Sequence, residues 1–187
     1  MQGTDSTAAF GPSGNLLLDA LRPSDYHRLA PHLEAVPLSS GQVVSLPHAY
    51  FPTTAVVSLL TAAGNAPSEE VAVMGKEGLI GISTFLEHSA GSAAPPRHAV
   101  VQHAGLAWRL PGSLLAEHFN THPELQRLLL RFTQALITQI AQTAVCSRHH
   151  RVAKQLCRWL LLRLDRLAGC EIPATHERIA HLLGVRR

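Results

Sequence analysis

The chain ends in the stretch 175-THERIAHLLGVRR-187, whose first nine residues have the pattern of a short amphipathic helix. Its apolar stripe consists of Ile179, Leu182 and Leu183. Thr175 is a common N-cap residue, and Glu177 places a carboxylate in the first turn, where the helix dipole favours it. Gly184 follows where a turn needs a positive φ, and Ala180 lies where two crossing helices need a small side chain. The stretch predicts half of a helix-turn-helix, and the alternative is a surface helix with a glycine C-cap.

Charge divides the chain into two parts. Residues 1–145 carry seven Lys and Arg against ten Asp and Glu, a net charge of −3. Residues 146–187 carry nine against three, a net charge of +6. A basic segment that ends in such a motif is typical of proteins that bind the phosphate backbone of a nucleic acid. The alternative is a solvated helix face, because the cations are spread over about two predicted helices.

Composition predicts a soluble, folded protein of the cytoplasm. Hydrophobic residues make up 46% of the chain, enough for a core, and the 16% of charged residues is too low for a disordered chain. No secretory signal is visible, and the apolar stretch Leu128–Val145 contains too many polar residues for a membrane span. The three cysteines, Cys146, Cys157 and Cys170, are widely spaced, so they predict neither a disulfide framework nor a metal site.

Short apolar runs separated by glycine and proline turns fill the middle of the chain. Two short helices are predicted before them, over Asn15–Leu21 and Ser24–Leu33. The runs have the lengths and spacing of strands in an antiparallel sandwich or barrel of jelly-roll type. They are Val43–Leu46, Ala55–Leu60, Glu70–Met74, Ala99–Gln102 and Leu106–Leu110. With the helices on either side, this pattern predicts an α+β fold.

A repeat close to seven residues marks a long helix after the strands. Its apolar positions are Leu125, Leu129, Phe132, Leu136 and Ile140. At 1.5 Å per residue the helix would be roughly 33 Å long, more than a small barrel needs to cover itself. The pattern therefore predicts that these five residues form a dimer interface. The alternative is packing against the barrel of the same chain.

The order of these elements, with a basic helix predicted over Arg148–Leu167, resembles the Crp/Fnr family of bacterial transcription regulators, which includes the cyclic-AMP receptor protein. The resemblance covers nearly everything from Leu16 to the end of the chain. The segments that carry it are Ser40–Val44, Tyr50–Pro52, Val56–Leu59, Gly75–Gly81, Leu128–Gln142 and Ile172–Arg187. It implies a homodimeric DNA-binding regulator in which an effector in the β-roll shifts the long helices and reorients the DNA-binding heads.

The resemblance also divides the chain into four parts. Residues 1–14 are expected to be a disordered N-terminus, and residues 15–122 to form an antiparallel β-roll sensor domain that resembles cyclic-nucleotide-binding domains. Residues 123–146 correspond to the dimerisation helix. Residues 147–187 correspond to a partial winged helix-turn-helix that binds DNA.

Candidate effector contacts lie in the turn Gly75–Gly81, called the glycine turn below, and at one arginine. In the family's cyclic-nucleotide binders a glutamate after the turn holds the ribose, and an arginine followed by Ser or Thr holds the cyclic phosphate. Here Ile82 follows Gly81, and His98 follows Arg97. An unpaired sugar hydroxyl costs roughly 1–3 kcal/mol, so we expect an effector other than cyclic AMP. The candidates are Gly75, Gly78, Gly81 and Arg97, and the resemblance assigns no cofactor.

Candidate DNA contacts lie where the match to the family stops. Relatives continue through a recognition helix and a β-hairpin wing, whereas this sequence ends at Arg187. Two residues cannot nucleate a helix. Thr175 corresponds to a phosphate contact, and Arg186 and Arg187 correspond to the start of the recognition helix. We therefore expect DNA as a partner only where the rest of the motif is present.

Two other classes of function compete with a DNA-binding regulator. The first is a truncated, dimerising sensor module that does not bind DNA, because the long helix is complete and the helix-turn-helix is not. The second is a metal enzyme of the cupin type, which needs a His-x-His pair on one strand. No two histidines of this chain are two residues apart, and His98 and His103 would face opposite sides of a strand. We expect no enzymatic activity, while heme ligation by one of the twelve histidines stays open.

Overall fold

Seven strands form the middle of the protein in a computed structural model, which describes residues 13–44, 47–61, 69–86, 97–167, 169 and 171–185. They are β1 (Glu34–Leu38), β2 (Val43–Val44), β3 (His48–Pro52), β4 (Val56–Thr61), β5 (Glu69–Met74), β6 (Arg97–His103) and β7 (Gly105–Pro111). One antiparallel sheet has the order β1-β7-β3, and the other has the order β2-β6-β4-β5. The predicted antiparallel roll is confirmed.

The sequence pattern did not predict β1 and β3. Both strands contain proline, at Pro37 and Pro52, and both are the outer strands of a three-stranded sheet around β7. Proline lacks the N–H that a central strand donates to its ladder, but an edge strand tolerates this loss. Their position at the edges explains why strands form here although proline argues against them.

Seven helices accompany the strands in the described residues. They are α1 (Leu16–Asp19), α2 (Pro23–Leu29), α3 (Ser83–Leu86), α4 (Gly112–Thr121), α5 (Pro123–His149), α6 (Val152–Leu164) and α7 (His176–Leu182). One apolar cluster joins the first helices and α4 to one side of the roll, and a second fills the space between the two sheets. Of the helices described, none has the length and apolar character that crossing a membrane requires.

Asn15 fixes the start of the fold. Its side-chain oxygen accepts hydrogen bonds from the backbone N–H groups of Leu17 and Leu18, at 3.1 Å each, and so caps α1. Its amide nitrogen donates to the backbone oxygens of Pro52 and Gly78, at 2.8 and 2.9 Å. The side chain is fully buried, and each of its polar atoms is bonded, as burial demands.

A sharp corner separates α5 from α6 at His150 and Arg151, a few residues later than the boundary predicted between the long helix and the basic helix over Arg148–Leu167. Helix α5 ends at His149, and His150 and Arg151 are extended, with ψ angles of 147° and 152°. The side chain of Gln155 donates hydrogen bonds to the backbone oxygens of Ser147 and His150, at 3.1 and 2.9 Å. These bonds satisfy carbonyl groups that a helix end leaves open, and they hold the corner in one geometry.

Candidate functional site: the junction between the roll and the C-terminal helices

The glycine turn after β5 is in close contact with three other parts of the protein. A Cβ at Gly78 would lie 2.6 Å from Cε2 of Phe132, which belongs to α5. A Cβ at Gly75 would lie 3.0 Å from Cγ of Arg166. Gly81 has a φ of +98°, which favours glycine, and a Cβ there would lie 2.6 Å from the carbonyl oxygen of His48. The three glycines predicted to contact an effector thus let a helix, a strand and the C-terminal segment approach the turn.

Two further positions entered the prediction of effector contacts. Ile82 packs against both apolar clusters of the roll, so this position carries an aliphatic group into the core. Arg97 is the first residue of β6, and its side chain lies outside the described residues.

The apolar stripe of α5 faces the roll of its own chain. Leu125, Leu129 and Leu136 are buried in the two clusters, and Phe132 and Ile140 pack against them. The five residues predicted at a dimer interface therefore lie in intramolecular contacts, as in the alternative interpretation. A periodic stripe shows that a helix buries one face, but it does not say whether the partner is the same chain or another one.

A second, outward stripe lies on another face of α5, about 120° around the helix from the first, and sequence reasoning missed it. Its members are exposed and follow one another at steps of four, three, four and three: Leu130, Gln134, Ile137, Ala141 and Ala144. Ile137 has 61% of its surface exposed. The spacing is that of the a and d positions of a coiled coil, and it could have been found by testing both helix faces for a heptad repeat.

One buried ion pair attaches α6 to the roll. Arg163 is 3% exposed, and its guanidinium donates a hydrogen bond to Oε1 of Glu70 on β5 at 3.1 Å and a second to Oε2. It also donates to the hydroxyl of Ser58 on β4 at 3.4 Å, and it stacks 3.6 Å from the ring centroid of Trp159. Burial lowers the pKa of Arg163, while the Glu70 carboxylate acts in the opposite direction. A cation that sequence analysis counted toward phosphate binding is thus directed into the protein.

Two further cations extend this attachment. Arg166 donates from Nε to Oε1 of Glu77 in the glycine turn at 2.7 Å. Arg178 of α7 donates to the side-chain oxygen of Gln102 on β6 at 3.1 Å. An apolar cluster lies beside them, built around Leu60, Trp159 and Leu182. Helices α6 and α7, called the C-terminal unit below, are therefore held on the four-stranded sheet by buried polar and apolar contacts.

Helix α7 and its turn have the predicted local structure. The hydroxyl of Thr175 accepts a hydrogen bond from the backbone N–H of Arg178 at 3.2 Å, so Thr175 is an N-cap. Gly184 has a φ of +65°. The Glu69 side chain lies directly against this glycine, since a Cβ there would be 2.6 Å from its carboxyl carbon. The candidate DNA contacts Arg186 and Arg187 lie outside the described residues.

No protein-family model matches the chain, and no curated protein matches its sequence. Several solved structures match its fold. A regulator assigned to the Crp/Fnr family from Eubacterium rectale has a TM-score of 0.75 at 10% identity, over 94% of this chain and 82% of the other. The c-di-GMP-responsive regulator CLP of Xanthomonas campestris has a TM-score of 0.67 at 13% identity, over 88% and 86%. FixK2 of Bradyrhizobium japonicum has a TM-score of 0.64 at 13% identity, over 82% and 78%.

The chain has a Crp/Fnr-like fold. In this Crp/Fnr-like fold a cleft of about 450 Å³ opens between β5, the end of α5 and the C-terminal unit. Glu69, Arg148 and Gly184 are among the residues that line it. An adjoining cavity of about 40 Å³ shares several lining residues with the cleft and is also lined by Cys146, Arg158 and Trp159. Within the part of the chain that the structure describes, no three His, Cys, Asp or Glu side chains are grouped as metal ligands would be.

Proposed function

We propose that this protein is a DNA-binding transcription regulator whose β-roll senses an effector other than cyclic AMP. The observation that carries the proposal is the basic C-terminal segment, residues 146–187, on a roll of Crp/Fnr-like fold. Arg163, Arg166 and Arg178 are used in its attachment to the roll. Arg148, Arg151 and Lys154 stay exposed around the α5–α6 corner, where they are free to meet phosphate groups.

The glycine turn is the element through which an effector would act. It contacts α5 through Phe132 and the C-terminal unit through the Glu77–Arg166 ion pair. A ligand that moves the turn would therefore act on both helices at once. Regulation by this route requires two conformations that the effector binds with different affinities. The aliphatic Ile82, which packs into the core, supplies no acceptor for a ribose hydroxyl, and this supports an effector other than cyclic AMP.

We further propose that the protein is a homodimer whose seam is the exposed stripe of α5. Ile137→Glu would place a charge in the centre of this apolar seam, and the protein should then change from a dimer to a monomer. Ala135→Glu is the matched control, because Ala135 is exposed on the same helix but lies outside the a and d register. Light scattering measures the mass of both variants. An Ile137→Glu variant with the mass of a dimer would exclude this seam.

Duplex binding at increasing salt tests the regulator proposal. Fluorescence anisotropy of a labelled duplex should show an affinity that falls with salt, because each phosphate contact adds about −0.9 to the slope of log K against log salt. Replacing Arg148, Arg151 and Lys154 by Gln should reduce the magnitude of that slope by about 3. The control replaces Arg28, Arg127 and Arg131 by Gln, which removes the same charge at exposed positions. Arg127 lies 21 residues before Arg148 on α5, or about 32 Å along the helix.

Two results would contradict the proposal. Equal slopes in the two triple variants would mean that the duplex is attracted by net charge alone and not by the cations of the α5–α6 corner. A dimer that binds no duplex even at low salt would favour the sensor module without DNA binding.

A further inference from the structure

Cys146 lies in the last turn of α5, at the corner where this helix meets α6. Its side chain is buried, with 4% of the residue's surface exposed, and its Sγ lies 3.3 Å from Nδ1 of His150. A neutral imidazole nitrogen at this distance can accept the thiol proton, and the thiolate is the reactive form of cysteine. The pair thus holds a buried potential nucleophile next to a base on an exposed residue of the corner.

Two residues that line the same cavity as Cys146 carry buried hydrogen-bond donors without a partner among the described residues. Nε of Arg158 and Nε1 of Trp159 are both buried and have no partner among the described residues. Both side chains line the cavity of about 40 Å³, and Trp159 is 4% exposed. Buried N–H groups are normally bonded, so two unpaired donors beside one cavity indicate a small guest with acceptor atoms.

The size of the cavity limits what this guest can be. A water molecule needs roughly 10–15 Å³ of such volume, so 40 Å³ admits a molecule of two or three heavy atoms. The adjoining cleft of about 450 Å³ provides a path from solvent. Arg158 is fixed beside the cavity because its Nη2 donates to the hydroxyl of Thr143 at 3.2 Å. A small molecule with oxygen acceptors fits these donors and the thiol.

We propose that Cys146 is a site of oxidation by hydrogen peroxide, which binds in this cavity. His150 accepts the thiol proton, and the thiolate sulfur attacks one peroxide oxygen. The S–O bond forms as the O–O bond breaks, and the departing hydroxide takes the proton from His150 to become water. The thiol and hydrogen peroxide are thereby converted to a cysteine sulfenic acid and water. Unpaired N–H donors of Arg158 and Trp159 stabilise the charge on the departing oxygen.

This oxidation would act on the corner between α5 and α6. The added oxygen occupies the cavity where β5, α5 and the C-terminal unit meet, and it competes for the hydrogen bond that now joins Cys146 to His150. The inference does not depend on DNA binding, since it concerns the chemistry of the thiol itself.

The first measurement uses the unmodified chain of 187 residues. It is treated with hydrogen peroxide in the presence of dimedone, which traps sulfenic acids, and the adducts at Cys146 and Cys157 are compared by peptide mass spectrometry. Cys157 is the matched control, because it lies eleven residues later on α6 and is exposed. We expect Cys146 to react at least about tenfold faster. A Cys157 that reacts equally fast or faster would overturn the proposal.

Two further measurements separate a reactive site from a thiol that is simply accessible. In about 8 M urea, which unfolds the protein, the two thiols should react with hydrogen peroxide at similar rates, because the fold then no longer distinguishes them. His150→Gln should lower the rate at Cys146 by about tenfold in the folded protein and leave Cys157 unchanged. A variant whose Cys146 keeps its full rate would contradict the role of His150 as the base.

Discussion

Replacing Arg163 by Met would remove the cation that joins α6 to the roll. The side chains of Arg163 and Glu70 are 4% and 8% exposed, so the variant leaves a carboxylate buried without its partner. The hydroxyl of Ser58, which donates to the same carboxylate, cannot replace two guanidinium bonds. The stacking of the guanidinium on Trp159 is lost as well.

The expected loss of stability follows from this geometry. Removing one partner of a buried ion pair costs about 3–5 kcal/mol, because the remaining charge is left uncompensated. In a protein of this length about 1 kcal/mol changes the melting temperature by roughly 2–4 °C, so a decrease of about 6–20 °C is expected. Replacing both Arg163 and Glu70 by Met should cost much less than the sum of the two single variants, because no unpaired charge is then buried.

Urea unfolding of the two single variants and the double variant measures this coupling, and hydrogen exchange in α6 and α7 reports whether the C-terminal unit stays attached. Arg109→Met is the control. Arg109 forms a 2.6 Å ion pair with Glu34, but both side chains are exposed to solvent, so little change in stability is expected. The reasoning would be refuted if Arg163→Met were no more destabilising than Arg109→Met, or if the single effects were additive.

Two further predictions concern packing and pH. Gly78→Ala should lower the free energy of unfolding by about 1–3 kcal/mol, because the added Cβ would lie 2.6 Å from Cε2 of Phe132 and 2.9 Å from Sδ of Met74. Adding Phe132→Leu should recover part of this loss, as measured by urea unfolding. If the second change recovers nothing, the clash with Phe132 is excluded as the cause. Burial, and next the neighbouring His122, lower the pKa of His118 below 6.5. This group therefore favours the folded state above pH 6.5, and that contribution is lost as the pH falls toward the folded-state pKa. His122→Gln should raise the pKa of His118 in an NMR titration, and an unchanged value would mean that His122 does not lower it.

Sequence alone predicted the antiparallel roll, the long helix and the N-cap at Thr175, because alternation, periodicity and capping are local patterns. It missed β1 and β3, whose prolines are acceptable only because these strands lie at sheet edges. The dimer interface predicted for the inward stripe of α5 stays a prediction, because the stripe packs on its own roll and a periodic stripe does not identify a second partner. The same limit applies to charge. Composition counts Arg163 among the cations of the C-terminal segment, but only the fold shows that Glu70 neutralises it.

The glycine turn has a consequence for the order in which the protein can form during synthesis. Residues from the beginning, middle and end of the chain meet at the turn, through Asn15, Phe132 and Arg166. A nascent chain that has exposed only the roll still lacks two of these three contacts. The turn can therefore reach its final packing only after Arg166 has left the ribosome, so the roll completes its own structure late, together with the helices that it holds.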